Sequence, residues 1–181
     1  MRGATQSKMI ILLILILSLA IVQAAHPTGT FTLSNFKQNT TTTSLRECDG
    51  QLYSTPSVHG NKDFDFNLVN ALNGDRNSVS FQSNKNSSMY IQVSTYPRLG
   101  VNVYNKLDTN AVSFKVVGGL NRPTDFSFKA STGEFIALTH SLDGDCAKQY
   151  QAPASDVALV NFSDLKSKAD ATWRLMIPTQ G

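Results

Sequence analysis

The chain has 181 residues, of which 41% are hydrophobic and 16% are charged, and 16 Lys and Arg against 13 Asp and Glu give a formal net charge of +3. This length suffices for one domain and hardly for two. Two basic residues lie in an N-terminal segment that we expect to be removed, so the remaining chain is nearly neutral, which disfavours an electrostatic nucleic-acid binder.

The first 24 residues have the pattern of a secretory signal peptide. Arg2 and Lys8 precede the apolar run 9–22, and small residues follow this run up to Ala24. The apolar run is shorter than the roughly 20 residues that a membrane-spanning helix needs. The alternative is an uncleaved N-terminal anchor. We therefore expect a single mature domain over 25–181 that is secreted, extracellular and free of any membrane segment once the signal is cleaved.

The mature chain shows no convincing helical period, whereas β-branched and aromatic runs with two-residue alternation recur along it. Glycine, asparagine and aspartate separate these runs, as in Asn73-Gly74-Asp75, and so predict turns. The threonine-rich stretch 37–44 allows a long loop at that point. The predicted strands cover 29–33, 63–69, 78–82, 89–93, 99–104, 112–117, 125–129, 134–138, 157–162 and 172–177.

An internal repeat links these strands into three units. Segments 63–72, 111–120 and 170–179 align on an aromatic residue, and segments 29–34, 78–83 and 125–130 form a second series. Three such units predict an all-β fold, a β-trefoil in which each four-strand unit gives two strands to a six-stranded barrel and two to a hairpin cap. The predicted barrel core consists of Phe31, Phe66, Phe81, Phe114, Phe128 and Trp173.

Cysteine and asparagine patterns agree with export. Cys48 and Cys146 are the two cysteines of the chain, and an oxidising compartment would allow them to pair, the alternative being two unpaired thiols. Three sequons, at Asn39, Asn86 and Asn161, would accept N-glycans in a eukaryotic secretory pathway. Asn161 is the weakest candidate, because the run 157–162 predicts a buried strand.

Short motifs that recur along the chain resemble those of a known family. Ser80-Phe81-Gln82-Ser83, Tyr90-Ile91, Phe135-Ile136 and Asp170-Ala171-Thr172-Trp173 are similar to the motifs of the arabinose-binding domain of fungal α-L-arabinofuranosidase B. That domain is a β-trefoil carbohydrate-binding module, and the resemblance covers about 79–177. It implies shallow pockets for the arabinofuranose side chains of plant polysaccharides.

The resemblance also assigns residue roles, and this sequence departs from some of them. The family places a His shortly after the Tyr-Ile pair, but Val93 and Leu138 occupy those positions here. The acidic residue late in each repeat is present as Asp63 and Asp170 and is replaced by Ala111 in the middle unit. The departure puts arabinose specificity in doubt without affecting the predicted fold.

Loop chemistry adds further candidates, because a polyol needs fixed acceptors and an aromatic face on exposed loops. Asp143 belongs to an Asp-Gly-Asp sequence that is also a common plain turn. The predicted carbohydrate-binding residues are Asp63, Tyr96, His140, Asp143, Tyr150 and Asp170.

Catalytic signatures are missing from the sequence. No Gly-x-Ser-x-Gly string occurs, three His and two distant Cys do not form a zinc pattern, and no phosphate-cradling motif is present. We therefore expect no enzyme activity, no cofactor and no metal, although the resembled domains are appended to α-L-arabinofuranosidases.

The sequence thus predicts a secreted, non-catalytic carbohydrate-binding module whose partner is a polysaccharide or glycan. The alternative is a secreted protein-binding trefoil, either a protease inhibitor or a signalling ligand. For an inhibitor, Tyr96-Pro97-Arg98-Leu99 is the segment that fits an exposed reactive loop, and it fits loosely.

Overall fold

The computed structural model describes residues 27–38, 41–48, 50–56, 61–95, 98–103, 108–139 and 154–178. Among these residues the regular elements are twelve β-strands and three single 3₁₀ turns. The strands are β1 (Gly29–Gln38), β2 (Thr41–Cys48), β3 (Gln51–Pro56), β4 (Asp65–Asn70), β5 (Ser78–Ser83), β6 (Met89–Thr95), β7 (Arg98–Val103), β8 (Phe114–Gly118), β9 (Phe126–Lys129), β10 (Phe135–Leu138), β11 (Ser155–Val160) and β12 (Arg174–Met176). The 3₁₀ turns cover Lys62–Phe64, Phe162–Asp164 and Lys168–Ala171.

Six strands close a barrel. Antiparallel pairing runs from β1 to β4, β5, β8 and β9, an isolated bridge between Phe126 and Trp173 continues it towards β12, and β12 returns to β1. A closed sheet has no edge strands, so every barrel strand has a partner on both sides.

Three hairpins cover one end of this barrel. They consist of β2 with β3, β6 with β7, and β10 with β11. The third strands of the units, β3, β7 and β11, also pair with one another. Three four-strand units, each giving two strands to the barrel and two to the cap, are the β-trefoil that the repeat predicts.

Strand pairing fixes which residues of the three units are equivalent. Phe31 faces Phe66, Val79 faces Phe114, and Phe126 faces Trp173, always between the first and fourth strands of a unit. Two residues further along, Leu33, Phe81 and Phe128 are therefore equivalent, and all three are fully buried.

The predicted core is confirmed at five of its six aromatic residues. Phe66, Phe81, Phe114, Phe128 and Trp173 are at most 1% exposed. The Phe81 ring meets the Phe128 ring edge-on with centroids 4.8 Å apart, a favourable aromatic geometry.

Phe31 is the exception, since it is only partly buried and packs against the side of the core. Phe31 and Leu33 point to the same face of β1 because side chains two residues apart share a face. Leu33 lies deeper in the barrel and fills the position that Phe81 and Phe128 fill in the other units.

Three further predictions need correction. The stretch 37–44 is not a long loop, because β1 extends to Gln38 and β2 begins at Thr41. The predicted strand 157–162 ends at Val160, so Asn161 and Phe162 lie outside it. The predicted strand 172–177 shortens to Arg174–Met176.

Candidate functional site

The structure describes two of the six predicted carbohydrate-binding residues, Asp63 and Asp170. Tyr96, His140, Asp143 and Tyr150 lie outside the described residues. Asp63 precedes Phe66 by three residues and Asp170 precedes Trp173 by three, so the two carboxylates occupy equivalent positions in the first and third units. The fold therefore places them in different units and does not bring them into one site.

Asp170 has no solvent-exposed surface and lies in the 3₁₀ turn Lys168–Ala171. Its Oδ2 accepts a hydrogen bond from the Ser167 backbone amide at 3.0 Å, and the Ser167 hydroxyl accepts from the Ala169 amide at 3.2 Å. This reciprocal arrangement is a capping box, which satisfies amide groups at the start of the turn. This capping box gives Asp170 a structural role.

Asp63 is more accessible and lies in a group of charged side chains. Its Oδ2 is 3.4 Å from Arg46 Nη2, and its Oδ1 is 3.2 Å from Lys85 Nζ. The exposed fractions of the side chains are 22% for Asp63, 21% for Arg46 and 63% for Lys85. Together with Glu47, these residues form a surface that we call the first-unit polar cluster.

Three separate elements position this cluster. Arg46 and Glu47 lie on β2, Asp63 lies in the 3₁₀ turn Lys62–Phe64, and Lys85 lies in the turn after β5. The Asn61 side chain accepts a hydrogen bond from the Asp63 amide at 3.0 Å and so fixes the start of the 3₁₀ turn.

Neighbouring contacts fix the two β2 side chains of the cluster. The Arg46 guanidinium lies 5.2 Å from the centroid of the buried Phe64 ring, a cation–π contact that orients it. Glu47 Oε1 accepts from the Gly50 amide at 3.0 Å.

The opposite charges in the first-unit polar cluster stabilise one another. The hydrogen bond from Lys85 to Asp63 and the negative charge of Asp63 raise the pKa of Lys85 above its ordinary value of 10.5. Lys85 is therefore protonated across the neutral pH range. The cluster presents a fixed carboxylate between two cations, a set of donors and acceptors that suits a polyhydroxylated ligand.

Structural equivalence also locates the position of the expected His in the first unit. Ser44, Tyr90 and Phe135 pair with Ser34, Gln82 and Lys129, each of which follows an equivalent buried residue. The position three residues later is therefore Glu47 in the first unit, Val93 in the second and Leu138 in the third. Sequence reasoning missed Glu47 because Ser44 and Leu45 do not resemble a Tyr-Ile pair.

Two of the three sequons lie among the described residues, and Asn39 does not. Asn86 is exposed in the turn between β5 and β6, where its Oδ1 accepts from the Ser88 amide at 3.0 Å. Asn161 is also exposed, which corrects the prediction that it belongs to a buried strand. It directly follows β11 and precedes the 3₁₀ turn Phe162–Asp164.

An exposed aromatic residue follows Asn161, and sequence reasoning missed it as a surface feature. Phe162 is 53% exposed, and its ring centroid lies 6.2 Å from that of the mostly buried Phe135. Lys168 Nζ lies 5.9 Å from the Phe162 centroid, and Lys129 Nζ lies 5.7 Å from the Phe135 centroid. We call these four residues the aromatic–lysine surface. The polar sequence after Phe162 was the available signal that the strand had ended.

A small pocket lies beside the turn between β8 and β9. The carboxylate of Asp125, only 4% exposed, accepts from Arg174 Nε at 2.9 Å and from Nη2 at 3.3 Å, which is a bidentate ion pair. The pocket is too small to enclose a sugar ring. Its lining residues are Asn121, Arg122, Asp125, Ala169 and Thr172.

The segment considered for a protease-inhibiting loop lies partly outside the described residues, which do not include Tyr96 and Pro97. Arg98 begins β7 and pairs with Thr95 of β6 and Ala158 of β11. The protein-binding alternative stays a prediction.

Cys48 is the last residue of β2. Cys146 lies outside the described residues, so the Cys48–Cys146 pairing stays a prediction.

The described residues contain no group of three or more His, Cys, Asp or Glu side chains that could hold a metal ion. In the same part of the chain, no helix is long and apolar enough to cross a membrane.

Comparison with known proteins shows the fold. Neither family models nor curated protein sequences match this chain. An arabinofuranosidase complexed with arabinofuranosyl-α-1,2-xylobiose superposes with a TM-score of 0.64 at 12% identity, over 83% of this chain and 31% of that chain. The chain thus spans about a third of the enzyme's length.

Smaller proteins match over almost their whole length. The BEL β-trefoil has a TM-score of 0.59 at 14% identity, over 83% of this chain and 94% of that chain. SeviL bound to an asialo-GM1 saccharide has a TM-score of 0.55 at 8% identity, over 83% and 98% of the two chains. These similarities confirm the predicted β-trefoil and the resemblance to arabinofuranosidase at the level of the fold.

Proposed function

We propose that this chain is a secreted, non-catalytic domain that binds polysaccharides or glycans. The first-unit polar cluster is the observation that carries the proposal, because it presents charged hydrogen-bonding groups on rigid elements at the surface. The structural similarity to an arabinofuranosidase complexed with an arabinofuranosyl oligosaccharide and to SeviL bound to a saccharide supports it. The predicted signal peptide supports secretion.

The chemistry of the cluster suits neighbouring sugar hydroxyls. A hydroxyl can donate to the Asp63 carboxylate and accept from Lys85 or Arg46, and both cations already lie within 3.4 Å of that carboxylate. Because Asp63 is held from both sides, little side-chain entropy is lost when a ligand binds. Glu47 adds an acceptor at the position of the expected His.

The three units do not carry equal sites. Asp63 is partly exposed, its counterpart Asp170 is buried, and Ala111 has no polar side chain. We therefore expect one main site of this type, in the first unit. Weak binding of single sugars, raised on a polymer by repeated contacts, is the expected behaviour.

The test uses the full chain secreted from a eukaryotic host and a panel of soluble and insoluble polysaccharides that includes arabinan and arabinoxylan. We expect retention on at least one neutral glycan. Asp63→Asn should weaken it by about tenfold, since a charge-assisted hydrogen bond contributes roughly 1.5 kcal/mol. The intact mass of the secreted protein reports whether cleavage occurs near Ala25.

Asp108→Asn is the matched control, because Asp108 is an exposed carboxylate of the middle unit that, among the described residues, accepts a hydrogen bond only from the local Asn110 amide. This variant should bind like the parent chain. Absence of retention on every glycan of the panel would contradict the proposed function. Equal binding by Asp63→Asn and Asp108→Asn would show that the first-unit polar cluster does not bind the glycan.

A further inference from the structure

The aromatic–lysine surface of the third unit is a second candidate binding surface. It lies in a different unit from the first-unit polar cluster. Phe162 is one of three large apolar side chains exposed among the described residues, and it is the only aromatic one of the three.

The Phe162 ring has a rigid base. Phe135 below it is 7% exposed and packs with Ala137 and Ala171 in a small separate core, against which Val160 and Leu165 also pack. The Asp164 amide donates to the Asn161 carbonyl at 3.0 Å and closes the 3₁₀ turn that carries Phe162. The ring is thus presented by a fixed turn over a packed core, as binding aromatics commonly are.

The charges beside the two rings differ from those of the first-unit polar cluster. In the described part of the chain, neither Lys129 nor Lys168 forms an ion pair with a carboxylate. The nearby Asp164 accepts instead from the Ser163 hydroxyl at 3.1 Å. Lys85 of the first-unit polar cluster, in contrast, is paired with Asp63. The aromatic–lysine surface therefore presents an apolar face flanked by two ammonium groups.

We propose that the aromatic–lysine surface binds a carboxylate-bearing sugar unit. The C–H face of the sugar ring stacks on Phe162, and its carboxylate interacts with the ammonium groups of Lys168 and Lys129. An acidic sugar carries its carboxylate directly on the ring, so stacking and ion pairing occur together. The inference rests on the proposed glycan-binding function and adds a second site with a distinct ligand class.

The sequon at Asn161 affects how the surface must be tested. An N-glycan on Asn161 would lie next to Phe162 and compete for the ring. The secreted full chain is therefore treated with an endoglycosidase before each measurement, and its mass is checked. Binding is measured by calorimetry to oligogalacturonate and to sialyllactose, which separate a uronic-acid source from a sialylated one, and to a carboxyl-reduced oligogalacturonate.

We expect binding to at least one acidic probe, with at least tenfold weaker binding to the carboxyl-reduced form and a marked loss of affinity at high salt. Phe162→Ala should weaken binding by about tenfold or more, and Lys129→Met combined with Lys168→Met should remove most of the salt dependence. Ile177→Ala and Arg76→Met, at exposed residues that follow β12 and lie in the turn between β4 and β5, serve as controls and should leave affinity unchanged.

The outcomes separate the two proposals. Retention on neutral glycans without affinity for either acidic probe overturns this inference and leaves the proposed function intact. Equal affinity for the acid and its reduced form, or full binding by Phe162→Ala, also overturns it. Absence of binding to all neutral and acidic glycans contradicts both.

Discussion

Asn35 shows how one polar residue joins two units. It is 1% exposed on β1, at the position that Ser83 and Ala130 occupy in the other units. Its Nδ2 donates to the carbonyls of Ala169 at 2.8 Å and Thr172 at 3.1 Å. The side chain therefore holds the third-unit 3₁₀ turn against the first strand of the barrel.

Asn35→Ala should lower the free energy of unfolding by about 1–3 kcal/mol, because it leaves buried carbonyls of the 3₁₀ turn without this donor. Urea denaturation followed by fluorescence of Trp173, the single tryptophan, measures the change. Asn70→Ala is the control, since Asn70 is an exposed strand asparagine at the end of β4. Equal midpoints for the two variants would contradict the role assigned to Asn35.

Sequence predicts buried residues well where one aromatic marks a strand. Phe66, Phe114 and Trp173 were identified in this way, and all three are buried. It fails where two apolar residues share a face, as Phe31 and Leu33 do, because alternation gives the face of a strand but not the depth along the barrel.

At the scale of elements, the β2–β3 hairpin is the element whose strands the sequence predicts least well. Its interior contains hydroxyl groups that satisfy one another, such as Ser54 Oγ donating to Thr43 Oγ1 at 2.7 Å. Ser44 and Thr55 are also buried on these strands. Paired hydroxyls can be buried at low cost, but they produce no apolar periodicity.

Sequence patterns also fail to predict most of the candidate site. Asp63 is a candidate that the family resemblance implies, whereas Arg46 and Lys85 are not. These residues are 17 and 22 positions from Asp63 and lie on other elements, so only the folded arrangement brings them together.

Two adjacent glycines, Gly118 and Gly119, at the turn between β8 and β9 provide a prediction and its control. A Cβ on Gly119 would clash with the Arg122 carbonyl oxygen, which is backbone and cannot move aside easily. Gly119→Ala should therefore destabilise the fold by about 1–3 kcal/mol. Gly118→Ala, whose Cβ would meet nothing within 4 Å, should change stability much less. Thermal unfolding of both variants tests this, and similar melting temperatures would show that the turn can relax.

In the whole molecule, the pseudo-threefold repeat makes stability and binding depend on different residues. The barrel residues repeat in all three units because each unit must contribute to one core, whereas the residues that precede the fourth strand of each unit differ. Asp63, Ala111 and Asp170 at one equivalent position show this divergence. Different sites on one trefoil are thus compatible with a single conserved architecture.

The predicted disulfide between Cys48 and Cys146 would also act on the whole molecule. Cys48 ends β2 in the first unit, and Cys146 precedes β11 of the third unit in the sequence, so the predicted bond would join two units. A bond that closes so long a loop should stabilise the chain by about 4–5 kcal/mol in the chain-entropy model. The double variant Cys48→Ser with Cys146→Ser should keep the β-sheet circular dichroism spectrum, because the barrel closes by strand pairing, and should unfold at a lower urea concentration. Peptide mapping under non-reducing conditions should recover the two cysteines in one linked peptide. Recovery of both as free thiols, or an unchanged urea midpoint, would contradict the pairing or its contribution, respectively.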